Sequence, residues 1–246
     1  MEKVIPRLSV NINKIALIRN SRGGNLPDLV QMALDIESYG AAGITVHPRP
    51  DQRHIRYSDI PALKSNIRTE LNIEGYPSAD FIALVLRNVP AQVTLVPDPP
   101  DTLTSDQGWD IVKHKDFLKD IVSQFHTAGI RVSIFINAEP AMVDAAAAIG
   151  ADRIELYTGP YAHDYDSDRL VAVSPHVACA ARAIEKNIEV NAGHDLNLKN
   201  LAWYSQSLPV LHEVSIGHAL ISDALYYGYS NAIHMYKDRL IYPELY

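Results

Sequence analysis

Short β-rich runs alternate with longer amphipathic segments along the whole chain. The runs fall at 8–12, 43–47, 71–74, 92–96, 131–136, 153–157, 189–191 and 213–216, eight in all, and each is followed by a segment able to form a helix. Pro27-Asp28 and Ser174-Pro175 have the composition of helix starts, and Gly40, Gly129 and Gly150 stand where helices should stop. Strands that alternate with helices predict a parallel sheet joined by right-handed crossovers. Eight such units in 246 residues predict closure into one (β/α)8 TIM barrel domain over residues 1–246, with an open doubly wound sheet as the alternative. The tail after Asn231 predicts an extra helix ending at Tyr242-Pro243. No Gly-x-Gly-x-x-Gly follows the first run, so a dinucleotide site has no support.

Two connections, 19–27 and 97–108, are longer than a barrel needs, and both follow a strand on the face where barrels keep their chemistry. They read as lids. The stretch 161–174 after the sixth run also reads as a long connection, with Ser174-Pro175 expected to break the helix there.

Composition narrows the function. A formal net charge of −7 gives no basis for nucleic-acid binding or for adhesion to an anionic membrane. Cys179 is the single cysteine, which excludes an internal disulfide and suits a reducing compartment; its alanine-rich surroundings read as a buried, inert thiol. No apolar run approaches the length of a membrane span and the first residues lack a signal-peptide core, so a soluble, cytoplasmic protein is expected.

In a barrel, the C-terminal strand ends converge on one mouth. Strand one brings Asn11 and Asn13 there, strand two His47 and Arg49, strand three Glu74, and strand six Glu155 and Tyr157. Strand seven brings Asn191 and His194, and strand eight Gly217-His218. Each alone has a bland explanation as a cap or a structural histidine; together they mark a site. Histidine and glutamate in one mouth are general acid–base groups. No lysine ends a strand, which disfavours a Schiff-base mechanism. His47, Glu74, His194 and His218 could ligate a metal, but Asn11-Ile12-Asn13 offers neutral amides where many metal-dependent barrel hydrolases carry His-x-His, so no metal is expected. The sequences Asn191-Ala192-Gly193-His194 and Ile216-Gly217-His218-Ala219 close strands seven and eight, where barrels hold phosphate on backbone N–H groups and a helix N-terminus. Arg19, Arg22, Arg49, Arg53, His54 and Arg56 gather on the loops after strands one and two and suggest a second anion, although Arg53 and Arg56 taken singly read as solvated charges.

Several of these segments resemble the pyridoxine 5′-phosphate synthase family. They are Asn11-Ile12-Asn13-Lys14-Ile15-Ala16, the segment from Gly43 through His47-Pro48-Arg49-Pro50-Asp51-Gln52-Arg53-His54-Ile55, Asn72-Ile73-Glu74, Leu95-Val96-Pro97-Asp98, and the Gly-His sequences after strands seven and eight. The resemblance runs in order over nearly the whole chain. It implies a cofactor-free barrel that joins two small phosphorylated substrates, 3-amino-2-oxopropyl phosphate and 1-deoxy-D-xylulose 5-phosphate, and a homo-oligomer, commonly an octamer. It implies that His47 and Glu74 accept protons and His194 donates one. Asn11, Arg22, Asp195, Gly217 and His218 match positions that hold the aminoketone phosphate, and Asn13, Lys14, Arg49, His54 and Thr104 match those that hold the deoxyxylulose phosphate. Asn13-Lys14 replaces a frequent Asp-His, and Asp195 replaces a frequent glycine, so a carboxylate stands beside the expected phosphate site. The competing readings are a metal-dependent barrel hydrolase and a non-catalytic phosphosugar-binding barrel.

Overall fold

The computed structural model describes residues 4–98 and 107–246. Its strands are β1 (Arg7–Asn11), β2 (Gly43–Val46), β3 (Glu70–Gly75), β4 (Gln92–Leu95), β5 (Arg131–Ile136), β6 (Arg153–Tyr157), β7 (Glu189–Gly193) and β8 (Glu213–Ile216). They pair in parallel, in sequence order, and β8 closes on β1. The predicted (β/α)8 barrel is therefore the fold. Two helices, α1 (Asn13–Asn20) and α2 (Leu29–Ser38), separate β1 from β2. Then α3 (Asp59–Asn66), α4 (Ala79–Asn88), α5 (Lys115–Thr127), α6 (Pro140–Ala148), α7 (Gly159–Lys186) and α8 (Leu201–Ser207) alternate with the strands. After β8 come α9 (His218–Tyr227), α10 (Tyr229–Ile241) and a short 3₁₀ turn at Pro243–Leu245, so the extra C-terminal helix is present.

Each strand has two unlike faces. On β1, Leu8 and Val10 point outward into the layer shared with the helices, where Ile36, Ile233 and Leu240 are also buried. Ser9 points inward and meets Thr45 hydroxyl to hydroxyl at 2.8 Å; Asn72 donates to Thr45 Oγ1 at 3.3 Å, and Thr94 donates to Asn72 Oδ1 at 3.0 Å. Below this belt lies a charged one. Arg7 and Arg131 bracket Glu70, and Arg131 and Arg153 both donate to Gln92 Oε1 at 3.0 Å. The barrel interior is thus polar where branched apolar side chains are more usual. An unpartnered buried polar group costs about 1–3 kcal/mol, and these bonds offset that cost for the groups that make them.

The register carries residues to the mouth. Leu156 and Tyr157 pair with Ala192 and Gly193, which extends β7 two residues past the predicted run. Asp28 caps α2 by accepting from Gln31 N at 3.0 Å, as Pro27-Asp28 predicts.

Two expectations are corrected. Residues 161–174 are helical rather than a loop, and the break lies at Asp168 (φ −158°, ψ 94°), not at Ser174-Pro175. Asp168 Oδ1 accepts from Leu170 N and Val171 N, which starts a new helical segment. Pro175 leaves the Val171 carbonyl without its usual backbone donor. The Ser174 hydroxyl donates to that carbonyl at 3.0 Å, so the turn survives the proline. The connection expected to begin at Arg19 begins after α1 instead, at Ser21. The other candidate lid, 97–108, lies largely outside the described residues, and so does Thr104.

Candidate active site

The C-terminal strand ends form one mouth. Glu74, near the end of β3, accepts from Asn11 Nδ2 at 3.4 Å and from Ser215 on β8. Asn11 Oδ1 in turn accepts from Asn13 N at 3.0 Å, fixing the turn from β1 into α1. Gly217 lies against Asn11: a Cβ there would stand 3.1 Å from Asn11 Cβ, tighter than side chains ordinarily pack. Asn13 Oδ1 accepts from His47 N at 2.9 Å and holds the residue that leaves β2. Asn11, Asn13, His47, Glu74 and Gly217 are therefore brought together as the sequence predicts.

Burial sets the protonation of these groups. His47 is buried, and desolvation, helped by Arg49, His54 and Arg53, holds its pKa well below the usual imidazole value. His54 packs edge-on to His47 with ring centroids 6.3 Å apart, and its pKa is lowered to about 4, by burial first and then by Arg53 and Arg49. His54 Nδ1 accepts from Ile55 N at 2.9 Å, which fixes the proton of the neutral ring on Nε2. Burial pushes the Glu74 carboxyl well up, and the nearby Glu155 and Asp98 add to it. Glu155, buried inside the barrel on β6, is pushed up to about 8 by burial and by Glu213. Near neutral pH the interior therefore holds carboxyl groups able to give or take a proton.

Arg49 and Asp98 are both buried and bonded at 2.7 Å, tying the β2–α3 loop to the end of β4. Lys14 is exposed on the first turn of α1, close enough to His54 to help lower its pKa. Together they place cationic or donor groups on one side of the mouth. A small pocket opens there between His47, Arg49, Tyr57, Tyr76 and Asp98.

On the other side, His194 follows β7 in a left-handed conformation (φ 77°), its imidazole against the packed pair Tyr157 and Phe135 at centroid distances of 5.6 and 6.3 Å. The Asp195 carboxylate turns toward His194, Oδ2 to Nδ1 at 3.4 Å, and that bond, with His218 nearby, lowers its pKa. The substitution for glycine thus places a charge against the histidine. Gly217 precedes α9 and His218 begins it, so unpaired backbone N–H groups of a ten-residue helix open on this side. Glu155 sits beside Gly193 at the end of β7, since a Cβ there would collide with its Oε1.

The arginine cluster divides. Arg19 is fully buried in α1 and donates through both Nη atoms to Asp59, at 2.8 and 2.9 Å, so it is a structural brace rather than an anion ligand. Arg22 is exposed beyond the end of α1, and among the described residues no hydrogen bond or ion pair joins it to the others. Sequence reasoning placed Glu155 and Tyr157 at the mouth without assigning them roles, and missed Asp98, Thr158 and Ser215. Asp98 stands in the Leu95-Val96-Pro97-Asp98 segment that carries the resemblance but received no role there; for Ser215, its place on β8 was the only available signal. Among the described residues, no three His, Cys, Asp or Glu side chains are grouped as a metal site, and no helix is long and apolar enough to cross a membrane.

Residues 8–241 match the model of the family described as pyridoxal phosphate biosynthesis protein PdxJ. The chain belongs to the PdxJ family. It is 57% identical over 230 residues to the pyridoxine 5′-phosphate synthase of Parabacteroides distasonis, covering 94% of this chain and 97% of that one. To the Cytophaga hutchinsonii protein of the same name it is 56% identical, covering 95% and 98%. Among solved structures, a 4-hydroxy-2-oxoglutarate aldolase superposes with a TM-score of 0.63 at 16% identity, covering 95% of this chain and 93% of that one. Thiamine phosphate pyrophosphorylase from Pyrococcus furiosus superposes with a TM-score of 0.61 at 10% identity, covering 97% and 96%. Those two likenesses concern the barrel alone. The activity of this PdxJ family chain is that of a pyridoxine 5′-phosphate synthase, an enzyme of vitamin B6 biosynthesis.

Proposed function

We propose that this mouth condenses 3-amino-2-oxopropyl phosphate with 1-deoxy-D-xylulose 5-phosphate by general acid–base catalysis alone, releasing pyridoxine 5′-phosphate, phosphate and water. The observation that carries the reading is the meeting of Asn11, Glu74 and Gly217, which sets a carboxyl group of raised pKa beside the N-terminus of α9. The aminoketone phosphate sits on the backbone N–H groups around Asp195, Gly217 and His218, with Asn11 and Arg22 as further donors. The deoxyxylulose phosphate sits against Arg49, His54, Lys14 and Asn13, with Thr104 as a further donor.

Amine and ketone condense to an imine, water and phosphate leave, and an aldol-like closure completes the ring. Every stage moves protons among carbon, nitrogen and oxygen, and none transfers a hydride. Glu74 and neutral His47 accept protons; a carboxyl whose pKa is raised toward neutrality is a stronger base when ionised than one at its ordinary value. His194 donates. The Asp195 carboxylate lies beside it, Oδ2 3.4 Å from Nδ1.

The chain works as one catalytic domain over residues 1–246, in the cytoplasm and as a homo-oligomer. Self-association is supported by exposed Leu17 and Ile18 on α1, which contacts α9 with its exposed Leu225, Tyr226 and Tyr227. The test of the reaction is incubation of the purified protein with both phosphates. The pyridinol chromophore and inorganic phosphate should appear together; phosphate without chromophore, or neither, overturns the reading.

A further inference from the structure

Thr158 stands immediately before α7, where a threonine ordinarily accepts a bond from the first turn of its own helix. Here it makes no such cap. It is fully buried, and its hydroxyl turns instead to the neighbouring loop, donating to Gly193 O at 2.8 Å and more closely to His194 O. Its backbone N–H also donates to Gly193 O, at 3.1 Å. One residue thus holds the carbonyls on either side of His194, those of the Gly193–His194 and His194–Asp195 peptides.

That turn needs holding. His194 and Asp195 are successive non-glycine residues at positive φ, 77° and 50°, a conformation that persists only where the surroundings over-determine it. The segment carrying Thr158 also supplies the aromatic wall. Tyr157 meets the His194 ring edge-on at 81°, and Gly159 leaves room for the Tyr157 ring, which any Cβ there would strike. Rotation of the 193–194 peptide would swing the imidazole away from this wall and out of the mouth.

We propose that Thr158 is a positioning residue for the reaction, its hydroxyl fixing the left-handed turn that aims the His194 imidazole into the mouth. This rests on the reading of His194 as a proton donor. A displacement of about 1 Å in a reacting group can cost on the order of 10²-fold in rate, so T158V, which keeps the size and loses the hydroxyl, should lower kcat about 10- to 100-fold. KM for the deoxyxylulose phosphate should stay within about threefold, because the contacts near Arg49 do not run through this hydroxyl. T158S should restore most of kcat, and T158A repeats the loss where valine packs poorly.

The deciding measurement is a double-mutant cycle with H194N, read by single-turnover product formation per folded molecule. If Thr158 acts through His194, T158V costs less than about twofold in the H194N background. An equal loss in both backgrounds, or a T158S enzyme as slow as T158V, overturns the proposal. A crippled H194N beside an unaffected T158V overturns it too and leaves the His194 reading standing. H194N with parental kcat defeats the His194 reading and this proposal with it.

Discussion

Arg49 Nη2 donates to Asp98 Oδ2 at 2.7 Å, and both side chains are almost completely buried. The pair aims one donor of the guanidinium at Asp98 and fixes the plane of the others beside His47 and His54. Burial lowers the Arg49 pKa and Asp98 opposes that, so the cation survives in a site that would otherwise disfavour it.

Removing one partner strands the other. R49M should destabilise the fold by about 3–5 kcal/mol, because Asp98 keeps a buried charge without this guanidinium. It should also raise KM for the deoxyxylulose phosphate about 10- to 100-fold, the worth of one charge-assisted bond. The double variant R49M/D98N should regain much of the stability and none of the affinity. Thermal unfolding beside substrate titration checks both halves, and recovery of KM in the double variant would remove Arg49 from the anion site.

Arg19 and Arg22 are three residues apart and should behave oppositely. R19M breaks a buried bidentate pair with Asp59 and should cost stability while leaving both KM values alone. R22M removes an exposed cation, so stability should hold and KM for the aminoketone phosphate should rise. Parental KM values in R22M would exclude Arg22 from binding.

These two arginines show what sequence could carry. The alternation that built the barrel was legible because strand and helix periods differ sharply, and the strand ends then placed Asn11, Glu74 and Gly217 within reach of one another. Arg19 and Arg22 look alike on paper; only the buried approach of Asp59 from α3 separates a brace from a surface cation. Pro175 looked like a break because its missing N–H is local, whereas the compensating Ser174 hydroxyl depends on a rotamer. Thr158 was illegible for a similar reason. Nothing in its neighbours says that its hydroxyl abandons its own helix for the loop of β7.

Chelation should leave activity intact. Of the four side chains that could ligate a metal, Glu74 already accepts from Asn11 and Ser215, and among the described residues no three His, Cys, Asp or Glu side chains are grouped as a metal site. Activity lost to a chelator and restored by one equivalent of zinc would reverse this assignment.

Stability should respond to pH in a direction fixed by two kinds of buried group. The Glu155 pKa rises from 4.5 to about 8 on folding, so its contribution is fully present below about 4.5 and is lost as pH climbs through 8. His54 and His176 fall from 6.5 to about 4, so theirs is present above 6.5 and lost as pH drops toward 4. The parent should therefore weaken at both ends of the range. E155Q should lose less stability than the parent between pH 5 and 9, measured by urea unfolding, and an identical pH dependence in both proteins would mean that Glu155 does not titrate in that range.

The sharpest test joins the two interior carboxyls. E74Q keeps shape and burial but cannot accept a proton, so kcat should fall about 10²- to 10⁴-fold while equilibrium binding of each phosphate changes little. Glu155 acts on Glu74 through space, since its charge, after burial, is the largest influence raising the Glu74 pKa. That charge exists only above about pH 8, where Glu155 ionises, so E155Q should leave an acid limb below that pH in place, whereas E74Q should abolish it. The two variants answer separate questions in one set of pH profiles. An E74Q enzyme with near-parental turnover makes Glu74 a strand end and nothing more. An acid limb that survives in E74Q would show that the group titrating there is not Glu74.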